Sequence, residues 1–172
     1  MIGKGKSISH GVAALEYDLA KEINGQAVAT EIARHELYGC TGAEMVQEMK
    51  PYHIDFPNVK NNCLRFEVSP SIEESATFTD ADWAELGNDF MQRMGLANHQ
   101  YIIIRHSGTE SKKEQAHLHI LANRVSLSGE LYRDNWIGKK ATEAANAIAK
   151  ERNFVQSQDI GKANKAEIKE AM

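Results

Sequence analysis

Residues 99–106, HQYIIIRH, and residues 116–125, AHLHILANRV, are the two most strand-like runs of the chain and decide its fold. The first is rich in β-branched side chains, and both are bounded by polar residues. The polar segment between them lacks the apolar periodicity of a crossover helix, which two parallel strands would need. The pair therefore predicts an antiparallel hairpin with a long loop.

Helical and strand patterns surround this hairpin. Helices are predicted over residues 11–22, 28–37 and 42–49, from a cap at Thr79 to the stop at Gly95, and in a closing segment with Ile137, Ala141, Ala144, Ala145 and Ile148 on one side. Alternation over residues 64–68 predicts a half-buried strand. Short strands separated by helices favour an α+β fold, in which helices cover a central antiparallel sheet.

The bulk composition indicates one globular domain. The chain has 172 residues, of which 42% are hydrophobic and 26% charged. We expect the domain to span residues 1–155, and residues 156–172 to form a polar tail, either a frayed helix or the start of a linker to further domains. The apolar runs are short and residues 1–6 are polar, so we expect a cytoplasmic protein without membrane insertion. Cys40 and Cys63 lack paired spacing and are expected to be reduced and buried.

Charge is unevenly distributed along the chain. The formal net charge is -4, but every charged residue between Glu67 and Asp89 is acidic, whereas lysines and arginines crowd the later segment. Affinity for phosphates comes from local basic surfaces rather than from the sum. One face that meets DNA and another that repels it would explain the pattern, and an ordinary solvated surface would explain it equally well.

The tripeptide His117-Leu118-His119 carries the clearest chemical signal. Residues two apart on a strand share a face, so the two imidazoles lie side by side while Leu118 points to the core. The hairpin returns the chain to His106, a third imidazole. Three such ligands can hold a divalent cation with positions left open for substrate. Two surface histidines on a strand would give the same tripeptide, and His106 favours the metal site. The other histidines are expected to be structural or exposed: His10, His35, His53 and His99.

The same residues resemble a known family. Residues 99–106, then residues 117–125 and Ser128-Gly129, resemble the third motif of the relaxase, or mobilization nuclease, family within the HUH endonucleases, which are named for two histidines flanking a hydrophobic residue. Near the start, Ala14-Leu15-Glu16-Tyr17 followed by Lys21 resembles the family's nucleophile motif, and Val68-Ser69-Pro70 is similar to a serine-containing strand end between the two. The resemblance covers most of residues 4–154.

This resemblance implies an HUH-endonuclease-like nicking domain. Tyr17 would attack one DNA strand and form a covalent 5′-phosphotyrosine, while His106, His117 and His119 hold the metal. The family resemblance is compatible with magnesium or manganese, although imidazole also suits softer ions such as zinc, nickel or cobalt. Some relaxases use a histidine nucleophile, which leaves His10 as an alternative to Tyr17.

The resemblance also implies partners and supporting residues. The substrate would be single-stranded DNA at an origin of transfer, with accessory mobilization proteins and a coupling protein as further partners. Glu110 stands in a loop longer than the family's, which commonly carries an aspartate there, so we expect it to support the site without being essential. Asn123 is a further candidate supporting residue. Candidate contacts to the DNA backbone are all basic by position: Lys4, Lys6, Lys112, Lys113, Arg124 and Arg133.

Three other functions fit part of the pattern. A replication initiator of the HUH type would share the chemistry. A metal-dependent hydrolase would use the three histidines to activate water, with Tyr17 incidental, and covalent capture would separate it from a relaxase. A non-catalytic DNA-binding or partner-binding α+β module would have structural histidines and no bound metal.

Overall fold

The computed structural model describes residues 1–23, 25–107 and 115–171. Its strands are β1 (Ile2–Ile8), β2 (Glu22–Ile23), β3 (Gln26–Ala27), β4 (Ala29–His35), β5 (Cys63–Ser69), β6 (Tyr101–His106) and β7 (His117–Asn123). Its helices are α1 (Gly11–Ala20), α2 (Gly42–Met49), α3 (Ile72–Ser75), α4 (Asp80–Arg93), α5 (Ile137–Glu151) and α6 (Ser157–Ala171), with a short 3-10 helix over Lys50–His53.

A five-stranded antiparallel sheet forms the centre, in the order β1-β5-β7-β6-β4. The predicted hairpin is its middle pair, with Tyr101 opposite Ala122 and His106 opposite His117. Strands β2 and β3 form a separate two-stranded ribbon. The predicted α+β class with helices on an antiparallel sheet is confirmed.

The two faces of the sheet carry separate apolar cores. On one face, α4 and α5 bury the inward side chains of β5, β6 and β7, including Phe66, which meets the ring of Phe90 edge-on at 5.5 Å. On the other face, α1 and α2 cover Ile102, Ile104 and Leu121. Helix α1 contacts β4, β6 and β7, and toward β1 and β5 this face opens into a pocket. The uncovered part of the sheet is where a functional site can form.

The clearest predicted elements are confirmed. Thr79 caps α4 in a capping box with Asp82, and Gly95 takes a positive φ of 77° just after the helix. Helices α2 and α5 lie where expected, α1 ends at Ala20, and β5 contains the predicted strand. The polar tail forms the helix α6.

The segment 28–37 was wrongly predicted as helical and contains strand β4. The apolar residues of this segment recur at helical spacing because the strand is irregular. These residues are Val28, Ile32, Ala33 and Leu37. Its register against β6 shifts between Glu31 and Ala33, so the apolar side chains lose their period of two.

Strand β1 was not predicted, because glycines occupy its inward positions. A Cβ at Gly3 would lie 2.7 Å from the Cβ of Ala145, and one at Gly5 would lie 2.7 Å from the Phe66 ring. Helix α5 therefore packs directly on the β1 backbone, and an alternation of glycine and lysine carries no apolar signal.

The two cysteines differ in their exposure to solvent. Cys63 is buried as expected, but Cys40 is exposed, which corrects the prediction for that thiol. Across the described ranges, no helix has both the length and the apolar character needed to cross a bilayer.

Candidate active site

Three histidines meet at the end of the central hairpin. His106 is the last residue of β6 and His117, opposite it, is the first of β7. His119 follows two residues later on the same face. One ring nitrogen from each lies within 4.8 Å of the others, and the ring centroids of His106 and His119 are 4.4 Å apart. The predicted histidines are thus brought together and can hold one divalent cation.

In His106 and His117, a hydrogen bond to a backbone carbonyl determines which ring nitrogen is left to bind a metal. His106 Nε2 donates to the carbonyl oxygen of Asp18 at 2.7 Å, and His117 Nδ1 donates to that of Gln115 at 2.9 Å. A neutral imidazole has one N–H, so His106 Nδ1 and His117 Nε2 keep their lone pairs. His106 Nδ1 is buried, and no hydrogen-bond partner for it exists in the described part of the chain. A metal ion would satisfy this nitrogen.

The spacing of the other two nitrogens also suits a shared ion. His117 Nε2 and His119 Nε2 are 3.0 Å apart. Two nitrogens bound about 2.1 Å from one ion at right angles would be separated by about 3.0 Å. The pair therefore has the separation of neighbouring metal ligands.

Burial favours the neutral form of His106 and His119, the state in which imidazole binds a metal, because it lowers the pKa of both rings. Burial is the main cause that lowers the pKa of His119 to about 2, and the nearby His106, His117, Arg65 and Lys21 lower it further. Burial also lowers the pKa of His106.

Helix α1 is attached to the histidines by Asp18. Its carbonyl oxygen accepts from His106, and its side chain, 1% exposed, forms a two-point ion pair with Arg65 of β5. Nε of Arg65 is 3.2 Å from one carboxylate oxygen, and Nη2 bonds the other. The end of α1 is therefore held against both β5 and β6.

Tyr17 precedes Asp18 in the chain and lies on the outer side of α1. Its side chain is 61% exposed, so a strand of DNA can approach it. His10, the alternative nucleophile, lies at the other end of α1, about 10 Å away along the helix axis. There it lines a different pocket, together with His53 and Asn62.

A shallow basic pocket of about 230 Å³ extends from the histidines over β5 and β1. Lys4, Lys6 and Arg65 supply positive charge along it, and Glu67 is the acid among its lining residues. Lys4 is opposite Glu67, which is in turn opposite His119, so these side chains share one face of the sheet. Two predicted DNA contacts, Lys4 and Lys6, thus border the histidine cluster.

The other predicted residues lie elsewhere. Asn123 is fully buried at the far end of β7, where its side chain bonds His53, Gln100 and backbone groups. Arg124 bonds the carbonyls of Tyr132 and Asn61 and pairs with Asp134. Arg133 is exposed near the start of α5. Glu110, Lys112 and Lys113 fall outside the described residues.

The remaining histidines include two with internal roles. His99 donates to the carbonyl of Asn123 and His35 to that of His99, each at 2.7 Å. Both are thus structural, as expected.

Sequence reasoning missed Asp18, Arg65 and Glu67. The alternation over residues 64–68 placed Arg65 and Glu67 on the polar side of a strand, but that side was interpreted as facing solvent. Asp18 gave no such signal, because its burial depends on how α1 lies across the sheet.

The comparisons with known proteins agree with this geometry. The family model described as Relaxase: MobA/VirD2-like, nuclease domain, matches residues 17–154, from the tyrosine to just beyond α5. No curated protein and no solved structure matches the chain significantly. With a family model covering most of its length, the chain belongs to the relaxases as a MobA/VirD2-like nuclease domain, the part of such a protein that nicks DNA.

Proposed function

We propose that this domain cuts one strand of DNA at an origin of transfer and remains joined to the new 5′ end through Tyr17. The observation that carries the proposal is the Asp18 carbonyl bound to His106, which joins the tyrosine helix to the histidine cluster. The proposed nucleophile is thereby one residue along the chain from the contact that holds α1 against the candidate metal ligands.

The three histidines fit a metal because one of their nitrogens, His106 Nδ1, is buried and has no hydrogen-bond partner among the described residues. His106 Nδ1, His117 Nε2 and a nitrogen of His119 would hold the ion. When bound, a divalent cation would neutralise a non-bridging phosphate oxygen and so favour attack on phosphorus. Magnesium or manganese is the proposed ion, as in the resembling family, and Glu110 is proposed as a dispensable supporting residue.

The residues of the chain carry the reaction itself. The Tyr17 oxygen attacks phosphorus, the bond from phosphorus to the 3′ oxygen breaks, and the proton that the phenol loses is balanced by one gained at the 3′ oxygen. A free 3′ hydroxyl and a tyrosyl phosphodiester result. The reverse attack by a 3′ hydroxyl reseals the strand, because the bond energy is kept.

Lys4 and Lys6 are proposed to hold the DNA backbone across the pocket, with Lys112, Lys113 and Arg133 as further contacts. Only an unpaired strand can bring one phosphate to the tyrosine and the histidines together. Accessory mobilization proteins and a coupling protein are the proposed protein partners. The nicking unit is proposed to be residues 1–155, with residues 156–172 as a polar tail or the start of a linker.

Covalent capture tests the proposal. Single-stranded oligonucleotides with candidate origin sequences, labelled 3′ of the cut, should give a labelled protein band after denaturation in the presence of manganese. Tyr17→Phe removes one oxygen and should abolish that band. Tyr38→Phe, which changes another exposed tyrosine, is the matched control and should keep it.

Other outcomes would favour other functions. An adduct that persists in Tyr17→Phe would contradict the assigned nucleophile, and His10→Ala would then be tested. Cleavage without an adduct in the unmodified protein would favour the water-activating hydrolase. Nicking confined to a replication origin would favour an HUH-type initiator.

A further inference from the structure

A large aromatic side chain is displayed on the surface just before α5. Trp136 is 78% exposed and its backbone is left-handed, with φ 58° and ψ 29°. A bulky residue adopts this conformation only at a cost in strain, and a tryptophan is seldom this exposed without a partner. Both features are typical of a residue with a function.

The surrounding contacts hold this backbone firmly. Asp134 accepts a hydrogen bond from Ser7 of β1 at 2.7 Å and pairs with Arg124 at 3.2 Å. Its carbonyl accepts from the N–H of Ile137, and the carbonyl of Trp136 accepts from Lys140. The indole is therefore presented on a rigid turn, so little ordering is needed when it binds a partner.

This turn lies beside the strand that lines the basic pocket. Gly138 is close to Gly5 of β1, since a Cβ at Gly138 would lie 3.6 Å from the Gly5 carbonyl oxygen. Gly5 lines the same pocket as Lys4, Lys6 and His119. Trp136 is therefore close to the edge strand β1, at the start of the helix that covers the face of the sheet opposite to the histidine cluster.

The charges near Trp136 are suited to a polyanion. Arg133 and Lys139 are both exposed, and the Lys139 amine lies 3.9 Å from Glu143 on the same helix, which is a weak surface pair. Asp134 is balanced by Arg124. Exposed basic residues on either side of an exposed aromatic residue in the chain are typical of single-strand binding, where backbone phosphates meet lysine and arginine while bases stack on the ring.

We propose that Trp136 stacks on a base of the single-stranded DNA that flanks the cut site, after the strand has crossed β1. This proposal rests on the proposed function, because it extends the path of the same substrate. An apolar protein partner is less suited to this position, since the neighbours Asn135 and Arg133 are polar and exposed.

Tryptophan fluorescence can test the stacking directly, because the chain has two tryptophans and the other is buried. Trp83 is 3% exposed and packs against Phe78. In a Tyr17→Phe background, which removes the nucleophile, a thymidine oligonucleotide should quench the emission of the protein. Quenching should persist in Trp83→Phe and vanish in Trp136→Phe. If Trp83→Phe does not fold, the comparison of the parent with Trp136→Phe gives the same answer.

Affinity gives a second readout. Trp136→Ala should weaken binding of the labelled oligonucleotide about tenfold, and Trp136→Phe should restore most of the loss because it keeps an aromatic face. An abasic residue at one position of the oligonucleotide should produce the same loss in the parent and no additional loss in Trp136→Ala.

Two results would overturn the inference. One is a bound oligonucleotide that leaves the Trp136 emission unquenched. The other is an unchanged affinity in Trp136→Ala, which would point to a protein partner for the indole. Neither readout depends on cleavage, so quenching of Trp136 without covalent capture in the parent would contradict the proposed function but not the stacking of a base on the indole.

Discussion

His106 contributes two atoms with opposite roles. Nε2 is bound to the Asp18 carbonyl, whereas Nδ1 is buried and has no hydrogen-bond partner among the described residues. We expect His106→Ala to lower manganese affinity by more than tenfold, measured by calorimetry, and to abolish nicking. His10→Ala should leave the affinity unchanged, since His10 lines another pocket. Equal affinities in the two variants would remove His106 from the metal site.

Acid should destabilise the metal-free protein through His119. Burial lowers its pKa to about 2, whereas an unfolded histidine titrates near 6.5. The unfolded chain thus binds more protons between these values, and the free energy of unfolding falls as pH drops below about 6.5, by at most about 1.4 kcal/mol per pH unit from this residue.

The measurement is urea unfolding in EDTA at pH 7 and pH 4.5. His119→Gln should lose less stability over this interval than the unmodified protein does. His10→Gln changes an exposed histidine and serves as the control, with an expected pH dependence like that of the parent. An unaltered dependence in His119→Gln would show that His119 titrates normally.

At the scale of elements, the close approach of α5 to β1 determines which substitutions the edge strand accepts. A Cβ at Gly3 meets the Ala141 carbonyl and the Ala145 side chain. Gly3→Ala should therefore destabilise the fold by about 1–3 kcal/mol in denaturant unfolding. Gly138→Ala, on the facing helix, makes only an ordinary contact and should be neutral or stabilising. Similar stability in both variants would contradict this packing.

The two edge strands, β1 and β4, show which parts of the fold a sequence pattern can predict. The central hairpin was predictable because buried strands repeat β-branched residues, and α4 because its cap and apolar stripe agree. Strand β1 was not predicted because the close packing of α5 requires glycine at the inward positions of the strand. Strand β4 was predicted as a helix because a bulge replaces the period of two by a helical spacing. Both failures arise where long-range packing, rather than local propensity, determines the residue.

For the candidate site, the sequence predicted which histidines meet, but it did not predict the hydrogen bonds and the ion pair that attach α1 to them. The HxH pattern and the returning strand predicted the meeting of three histidines, which depends only on strand geometry. The Asp18 bridge depends on how α1 lies across the sheet, and no local pattern encodes that placement. Asn123 seemed close to the site in sequence, but the length of β7 carries it to the opposite end of the sheet.

At the scale of the molecule, the sheet separates two kinds of surface. Helix α4, which carries Asp80, Asp82, Glu85 and Asp89, covers one face, and the pocket with Lys4, Lys6 and Arg65 opens on the other. The acidic helix α4 and the pocket with its three basic side chains thus lie on opposite sides of the sheet. This arrangement explains how a domain with a net charge of -4 can bind a polyanion through one side.

The salt dependence of DNA affinity tests whether the basic pocket is the surface that binds DNA. Binding of single-stranded DNA should weaken linearly in a plot of log affinity against log salt, with a slope of about 0.7 per phosphate contact. Lys4→Ala combined with Lys6→Ala should weaken binding and reduce the magnitude of the slope by about 1.4 if each lysine neutralises one phosphate. Lys150→Ala, an exposed lysine at the far end of α5, is the matched control and should change neither quantity. If Lys150→Ala reduces the slope as much as the loss of one pocket lysine does, the DNA follows another path and the pocket is not its binding surface.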